Sequence, residues 1–340
     1  MGSHRRLAQS GFDRGACSAL SVLSVAAAAL GAVSAVPATA APHDGTRADV
    51  DRLYAEAEKA TEAYNKADER ADTLREQVGL AQDHIARQQE RVNGMRERLG
   101  SLAGAQYRSG GLDPSLALLL SDDPEEYLAN ASVLDRITAH QATELRTLQN
   151  ALRELTQERS EAARKLAELE KSRGAVRRHK QTVEQKLARA RQLLNSLPSD
   201  ERDAYDRASR SGRDGLAGLT GDVPASGRAA AAVAAVRSAL GKPYIWGANG
   251  PSGFDCSGLM QWSYAQAGVS LPRTSQAQAH AGRRVPLSQA QPGDIVTYRS
   301  DASHVGMYVG NGQVIHAPYP GAPVRYDPVG MMPVSSVTRP

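Results

Sequence analysis

The stretch Gly-Lys-Pro-Tyr-Ile-Trp-Gly-Ala-Asn-Gly-Pro-Ser-Gly-Phe-Asp-Cys-Ser-Gly-Leu, residues 241–259, decides the reading of this chain. It is glycine-rich up to Gly253. Beyond that point Leu259, Trp262, Ser263 and Gln266 recur at helical spacing. Asp255 is placed to cap this helix, so Cys256 falls in its first turn. The positive end of a helix lowers a thiol pKa and favours the nucleophilic thiolate. The competing reading is a buried structural cysteine. Upstream, residues 229–240 read as a helix stopped by Gly241.

A thiolate nucleophile needs a base. Of the 8 histidines, His280, His304 and His316 lie in this C-terminal part. Residues 303–309 alternate with strand period, Gly310-Asn311-Gly312 is a turn signal, and 313–317 is the return strand. A three-residue loop would set Gly306 opposite His316 and both imidazoles on one face. A two-residue Asn311-Gly312 turn would put them on opposite faces. The cysteine–histidine reading therefore expects the odd loop, with a bulge. It assigns Cys256 as nucleophile, His304 as base and acid, and His316 as the group that orients His304. It also expects the sulfur to be open to solvent. His280, beside Arg283 and Arg284, reads as a surface residue. A Cys-His-His zinc site has suitable ligand types but no closely spaced ligand pair. No metal and no cofactor is expected.

Outward from this region the chain changes character. Apolar positions step by three and four through Val50, Leu53, Ala57, Ala60, Tyr64, Ala67, Ala71, Leu74, Val78, Ala81 and Ile85. They resume at Val92, Met95, Leu99 and Leu102. A second series runs from Leu145 to Leu197. Such a 3.5-residue period with charged flanks predicts an antiparallel coiled coil over 46–197. An elbow is expected near 110–127, where two Asp-Pro steps suit helix starts. Its leucines either close the end of the rod or dock a partner. The charge runs read as solvated faces. Residues 198–228, rich in Gly, Ser, Asp and Arg, read as a flexible linker. Both tryptophans lie after Ala229, so 229–340 is where a compact core is expected.

Residues 1–40 have basic residues, an uncharged apolar run and a small-residue Ala38-Thr39-Ala40 site. This is the layout of a secretory signal peptide, with an uncleaved anchor as the alternative. The 340 residues carry 41 Lys+Arg against 37 Asp+Glu, interleaved and net +4, which gives no support to a nucleic-acid binder. Cys17 and Cys256 alone cannot staple a disulfide scaffold. A mean hydropathy of −0.44 argues against a polytopic membrane protein.

Several blocks now resemble one family. They are the 241–259 stretch, Leu271-Pro272-Arg273-Thr274-Ser275, Gln291-Pro292-Gly293-Asp294-Ile295-Val296 and His304-Val305-Gly306-Met307-Tyr308-Val309-Gly310. The region 229–340 is similar to the NlpC-type cell-wall cysteine peptidases. The resemblance implies an α+β, papain-like fold, with the cysteine helix on an antiparallel sheet. It implies cleavage of peptidoglycan stem peptides at the D-γ-glutamyl-diaminopimelate bond, with Cys256, His304 and His316 as the triad. Tyr244 matches a tyrosine that helps hold the oxyanion, and Asp255 and Ser257 match positions near the substrate groove. The rod resembles those of secreted Gram-positive wall hydrolases, which implies an extracellular enzyme. There the coil docks on an FtsEX-type membrane complex and can hold the catalytic domain inactive. The rivals are an amidase or acyltransferase on the same fold, a non-catalytic regulator of another hydrolase, and a wall-binding module.

Overall fold

The structure, a computed structural model, describes residues 42–108, 116, 120, 124–210, 224 and 226–340. The expected signal segment, most of the expected elbow, and residues 211–223 and 225 of the expected linker lie outside the described residues. Among the described residues, no helix is long and apolar enough to cross a membrane.

Helix α1 spans Pro42–Arg108 and α2 spans Pro124–Ser196. Each has proline only at its first position, where the missing N–H costs nothing, and Pro198 follows the end of α2. At ~1.5 Å per residue, α1 is about 100 Å long. The helices pair antiparallel. Arg70 meets Glu168 at 2.7 Å, the Ser172 hydroxyl donates to the Ala67 carbonyl at 2.8 Å, and His84 meets Glu158 at 3.0 Å. The heptad positions form the seam: Ala71, Leu74 and Val78 with Leu169, then Val92 and Met95 with Ala151 and Leu155. Leu102, Leu145 and Leu166 are exposed, so the seam loosens along its length.

The linker expectation needs correction. Its first part, Ser199–Arg210, is a helix, α3. Asp200 and Glu201 in the first turn complement the helix dipole. One aromatic residue anchors it: Tyr205 is buried, and its hydroxyl donates to Asp51 at 3.0 Å. Among the described residues, Tyr205 is the one buried side chain of α3, so the helix has no apolar period to read.

The C-terminal domain is α+β, as expected. Helix α4 (Gly227–Ser238) is capped by the Ser226 hydroxyl, and α5 (Cys256–Gln266) by Asp255. The short α6 is Ser275–Gln278. The strands are β1 (Arg283–Val285), β2 (Ile295–Tyr298), β3 (His304–Gly310), β4 (Gln313–His316), β5 (Arg325–Pro328) and β6 (Val334–Arg339). They form one antiparallel sheet in the order β1-β6-β2-β3-β4-β5. Ile295, Met307 and Ile315 pack with Val233, Val236, Leu259 and Met260 in one core. Val296, Tyr298, Tyr308, Val314 and Val337 alternate with them into a second cluster, with Met331 and Met332 packed against it.

The first part of α1 serves two partners. Val50, Leu53, Ala57 and Ala60 cluster with Val183, Leu187 and Ala190 of α2. Other side chains of the same turns reach the C-terminal domain. Tyr54 stacks on Tyr319, with ring centroids 4.9 Å apart, and Tyr64 meets Trp246 edge-on at 5.2 Å.

The start of α5 is fixed by a close approach. The Asp255 N–H donates to the Ala248 carbonyl at 2.9 Å, and a Cβ on Gly258 would lie 2.2 Å from that oxygen. Gly258→Ala must push the Gly-rich loop off the helix. It is expected to cost about 1–3 kcal/mol, the usual range for overpacking, read as a lower denaturation midpoint at unchanged slope.

Candidate active site

The Asp255 carboxylate caps α5 at the Gly258 N–H, 2.6 Å away. It also accepts from the Gly247 N–H at 3.0 Å and pairs with Arg273 at 2.6 Å. These contacts hold Cys256 at the helix's opening turn, with its sulfur aimed at the start of β3. The thiol Sγ and a ring nitrogen of His304 lie within 4.8 Å of each other.

The β3–β4 connection brings the histidines together in an instructive way. Gly310 pairs with Gln313, so the tight turn has two residues, and Asn311 and Gly312 both have positive φ. A bulge between Tyr308 and Gly310 restores the odd count. Met307 therefore faces Ile315. A Cβ on Gly306 would lie 3.1 Å from the His316 Cβ. Both imidazoles share one face, with His304 Nε2 2.7 Å from His316 Nδ1. The odd spacing is present, built from a two-residue turn plus a bulge.

The proton positions follow from the last member of the chain. His316 Nε2 is 2.7 Å from Asp327 on β5, a residue the sequence reading did not single out. Burial alone would raise the Asp327 carboxyl, but His316 and Arg325 outweigh it and hold it low. An ionised carboxylate only accepts, so His316 donates from Nε2. Burial pushes the His316 pKa down to about 4, against the pull of Asp327. His316 is therefore neutral, and its Nδ1 accepts from His304 Nε2–H. That leaves His304 Nδ1 as the nitrogen for the thiol side.

Helix α1 occupies that side. Glu58 bonds His304 Nδ1 through one oxygen, and Arg299 donates to the other at 2.6 Å. The carboxylate and the free face of Nδ1 are both acceptors, so one proton must lie between them. Burial would raise the Glu58 carboxyl, but His304 and Arg299 outweigh it and hold it below the usual range. One turn on, Glu62 accepts from the Ser257 hydroxyl at 2.6 Å and from the Ser275 N–H at 2.7 Å. Burial, with Asp255 nearby, pushes its pKa up to about 7. Its oxygen is 3.7 Å from the Cys256 sulfur. Asn65 donates to Asp255 at 3.1 Å.

Two expectations change here. The sulfur is not open to solvent: Cys256 is 1% exposed. Nor does the helix end lower its pKa in this arrangement. Burial, then Glu58, Glu62 and Asp255, raises the thiol well above its ordinary value. A Cys-His-His metal set is also excluded by geometry, because His316 spends both ring nitrogens on His304 and Asp327. Of the other singled-out residues, Tyr244 is buried close enough to Cys256 that the two acidities interact. Asp255 is a cap and an ion-pair partner, Ser257 holds Glu62, and His280 is exposed.

Reasoning from sequence missed Glu58, Glu62, Arg299 and Asp327. Glu58, Thr61, Glu62 and Asn65 are spaced i, i+3, i+4, i+7 and all are buried. That polar stripe was there to be read, but a solvated face has the same spacing. Asp327 lies two residues past Arg325, which pairs with His316, and so shares its face.

Two outcomes follow. Replacing Glu58 and Glu62 together by Ala removes the carboxylate contacts of α1 to His304, Arg299, Ser257 and Ser275. Alkylation of Cys256 by iodoacetamide is then expected to quicken by about tenfold or more over the native chain, the sign of a newly exposed, more acidic thiol. The second concerns pH. The Glu62 pKa is raised in the closed cleft, so its contribution is complete below the ordinary glutamate range and is lost as pH rises through about 7. Tryptophan emission, sensitive to the Tyr64–Trp246 contact, should shift between about pH 5 and 8. Glu62→Gln should flatten that shift.

Residues 241–337 match the NlpC/P60 family model. Over 116 residues the chain is 50% identical to a "Probable endopeptidase" of Corynebacterium glutamicum, covering 34% of this chain and 56% of that one. Over 97 residues it is 54% identical to "Probable endopeptidase p60" of Listeria monocytogenes, covering 28% and 20%. Among solved structures, the peptidoglycan hydrolase RipB of Mycobacterium tuberculosis is 30% identical, covering 41% and 84%, with a TM-score of 0.32. The chain thus spans from a fifth to just over half the length of these curated relatives. The segment 241–337 of this chain is an NlpC/P60 domain.

Proposed function

We propose that the chain is a peptidoglycan endopeptidase that cleaves the D-γ-glutamyl-diaminopimelate bond of stem peptides by a Cys256–His304–His316 thiol mechanism. The observation that carries this reading is the directed proton chain from Asp327 through His316 to His304, ending on Nδ1 beside a helix-start cysteine. The names of its relatives support the reaction class.

In the mechanism, Cys256 gives its proton to His304 Nδ1 and attacks the glutamyl carbonyl. The Cys256 N–H and the Tyr244 hydroxyl stabilise the oxyanion. His304 then protonates the leaving amine, a thioester forms, and water activated by His304 releases the acyl group. No cofactor takes part. His316, kept neutral by burial, holds the tautomer of His304, and Asp327 holds His316.

The closed cleft supports a further element of this reading: α1 restrains the enzyme. Glu58 takes the base and Glu62 covers the thiol, so α1 must leave before substrate enters. The contacts that receive these two carboxylates, Arg299 on one side and Ser257 with the Ser275 N–H on the other, suit an acidic peptide. An FtsEX-type membrane complex acting on the helix pair is the proposed trigger. Residues 1–40 are the proposed export signal, and the cell wall is the site of action.

The test is digestion of purified muropeptides by the full chain, with products identified by mass spectrometry. Glu58→Ala with Glu62→Ala is expected to raise turnover by about tenfold or more, the scale of a barrier change of one to two kcal/mol. Cys256→Ala should abolish turnover. Release of whole stem peptides carrying a free N-terminal amine, with a carboxylate left on the glycan, would instead indicate an amidase. No product from the folded double variant would leave the non-catalytic regulator as the better reading.

A further inference from the structure

Three Lewis bases from three separate elements converge beside the start of α5. They are the Cys256 thiol, a ring nitrogen of His304 and a carboxylate oxygen of Glu58. All lie within 4.8 Å of one another, and all three residues are buried. Glu62 adds a fourth donor, an oxygen 3.7 Å from the sulfur. Hydrolysis needs the first two, and a blocking helix needs only bulk. Neither requires sulfur, nitrogen and oxygen donors to point at one spot.

We propose that the closed cleft is a zinc site, in which Cys256, His304 and Glu58 hold one Zn2+ ion and Glu62 or a water completes a tetrahedron. The donor set is the one zinc takes in proteins, and thiolate with imidazole selects it over calcium or magnesium. With bonds of about 2.3 Å to sulfur and 2.0–2.1 Å to nitrogen and oxygen, donors around one ion stand roughly 3.2–3.6 Å apart. The sulfur must draw in by about an ångström at most, and the hydrogen-bonded Glu58 oxygen and His304 Nδ1 must part to admit the ion in place of their shared proton. The outer shell is already built. A metal-bound His304 Nδ1 requires the proton on Nε2, and Nε2 donates to His316, which donates to Asp327.

Charge bookkeeping favours the exchange. The thiol proton and the proton between His304 and Glu58 leave to solvent as the dication enters, so the net charge of the buried cluster does not change. The ion would bind the nucleophile, the base and α1 at once. Because only the closed arrangement supplies Glu58, zinc binds that state preferentially and holds it closed. The site depends on this geometry alone and stands whether or not the chain cleaves peptidoglycan.

The test uses the full chain with Co2+ and Zn2+ as the only probes. One equivalent of Co2+ should give a thiolate-to-cobalt charge-transfer band that Zn2+ displaces, and Cys256→Ser should remove it. Glu58→Ala should weaken Zn2+ binding by about tenfold or more, and Glu58→His, which keeps a donor in reach, should restore it. Absence of a saturable band overturns the proposal. So does Glu58→Ala binding as tightly as the native chain, since a cysteine–histidine pair would then suffice. If Glu58→His loses binding as fully as Glu58→Ala, the glutamate acts by holding the helix and the proposal fails.

Discussion

Three buried carboxylates set the terms of this molecule. Glu58, Glu62 and Asp255 converge on the first turn of α5, where each must find a proton or a cation. Arg273 neutralises Asp255, and Arg299 with His304 neutralises Glu58. Among the described residues, Glu62 has no cation within bonding distance and is held by the Ser257 hydroxyl and the Ser275 N–H, while burial and then Asp255 move its acidity. The loop carrying Arg299, through Glu58, and the segment carrying Ser275, through Glu62, are thereby tied to a helix that belongs to the rod. Removing one member would leave a charge stranded in a dry cleft, so the contact forms and breaks as a unit.

The same carboxylates reverse the usual effect of a helix start on a thiol. The dipole of α5 favours an anionic sulfur by an amount that fades within the first turn. Desolvation and three nearby negative groups act against it and win. The acidity of Cys256 is therefore a property of the arrangement around α5, to which α1 contributes two of the three carboxylates. In the histidine chain, by contrast, proton order is fixed within the C-terminal domain by Asp327 and does not need α1.

Helix α1 can do this because it carries two stripes in the same turns. Its small and apolar positions, Val50, Leu53, Ala57 and Ala60, build the seam with α2. Its polar positions Glu58, Glu62 and Asn65 are equally buried but face the cleft, and the buried Thr61 hydroxyl donates to the Ala57 carbonyl. Tyr54 and Tyr64 fix the approach by packing on Tyr319 and Trp246. Beyond this segment the outer face of α1 returns to solvent, and the pair of helices is held by its seam and by exposed ion pairs of little weight.

Periodicity by itself determined the long helices, because a 3.5-residue apolar repeat has one economical solution. Local signals determined the capped cysteine helix, since Asp255 and the Gly-rich loop act within a few residues. The β3–β4 pair was legible too, because turn chemistry and the need for two histidines on one face constrain each other. The helix at Ser199–Arg210 was not legible, as its buried Tyr205 bonds Asp51, 154 residues away in sequence. Nor were Glu58, Glu62, Arg299 and Asp327 legible as parts of one site. A glutamate at helical spacing looks the same whether water or an imidazole stands opposite, and only the tertiary structure brings residue 58 to residue 304. Chemistry that depends on what is buried beside a group is decided by packing, and packing across 246 residues leaves no local trace.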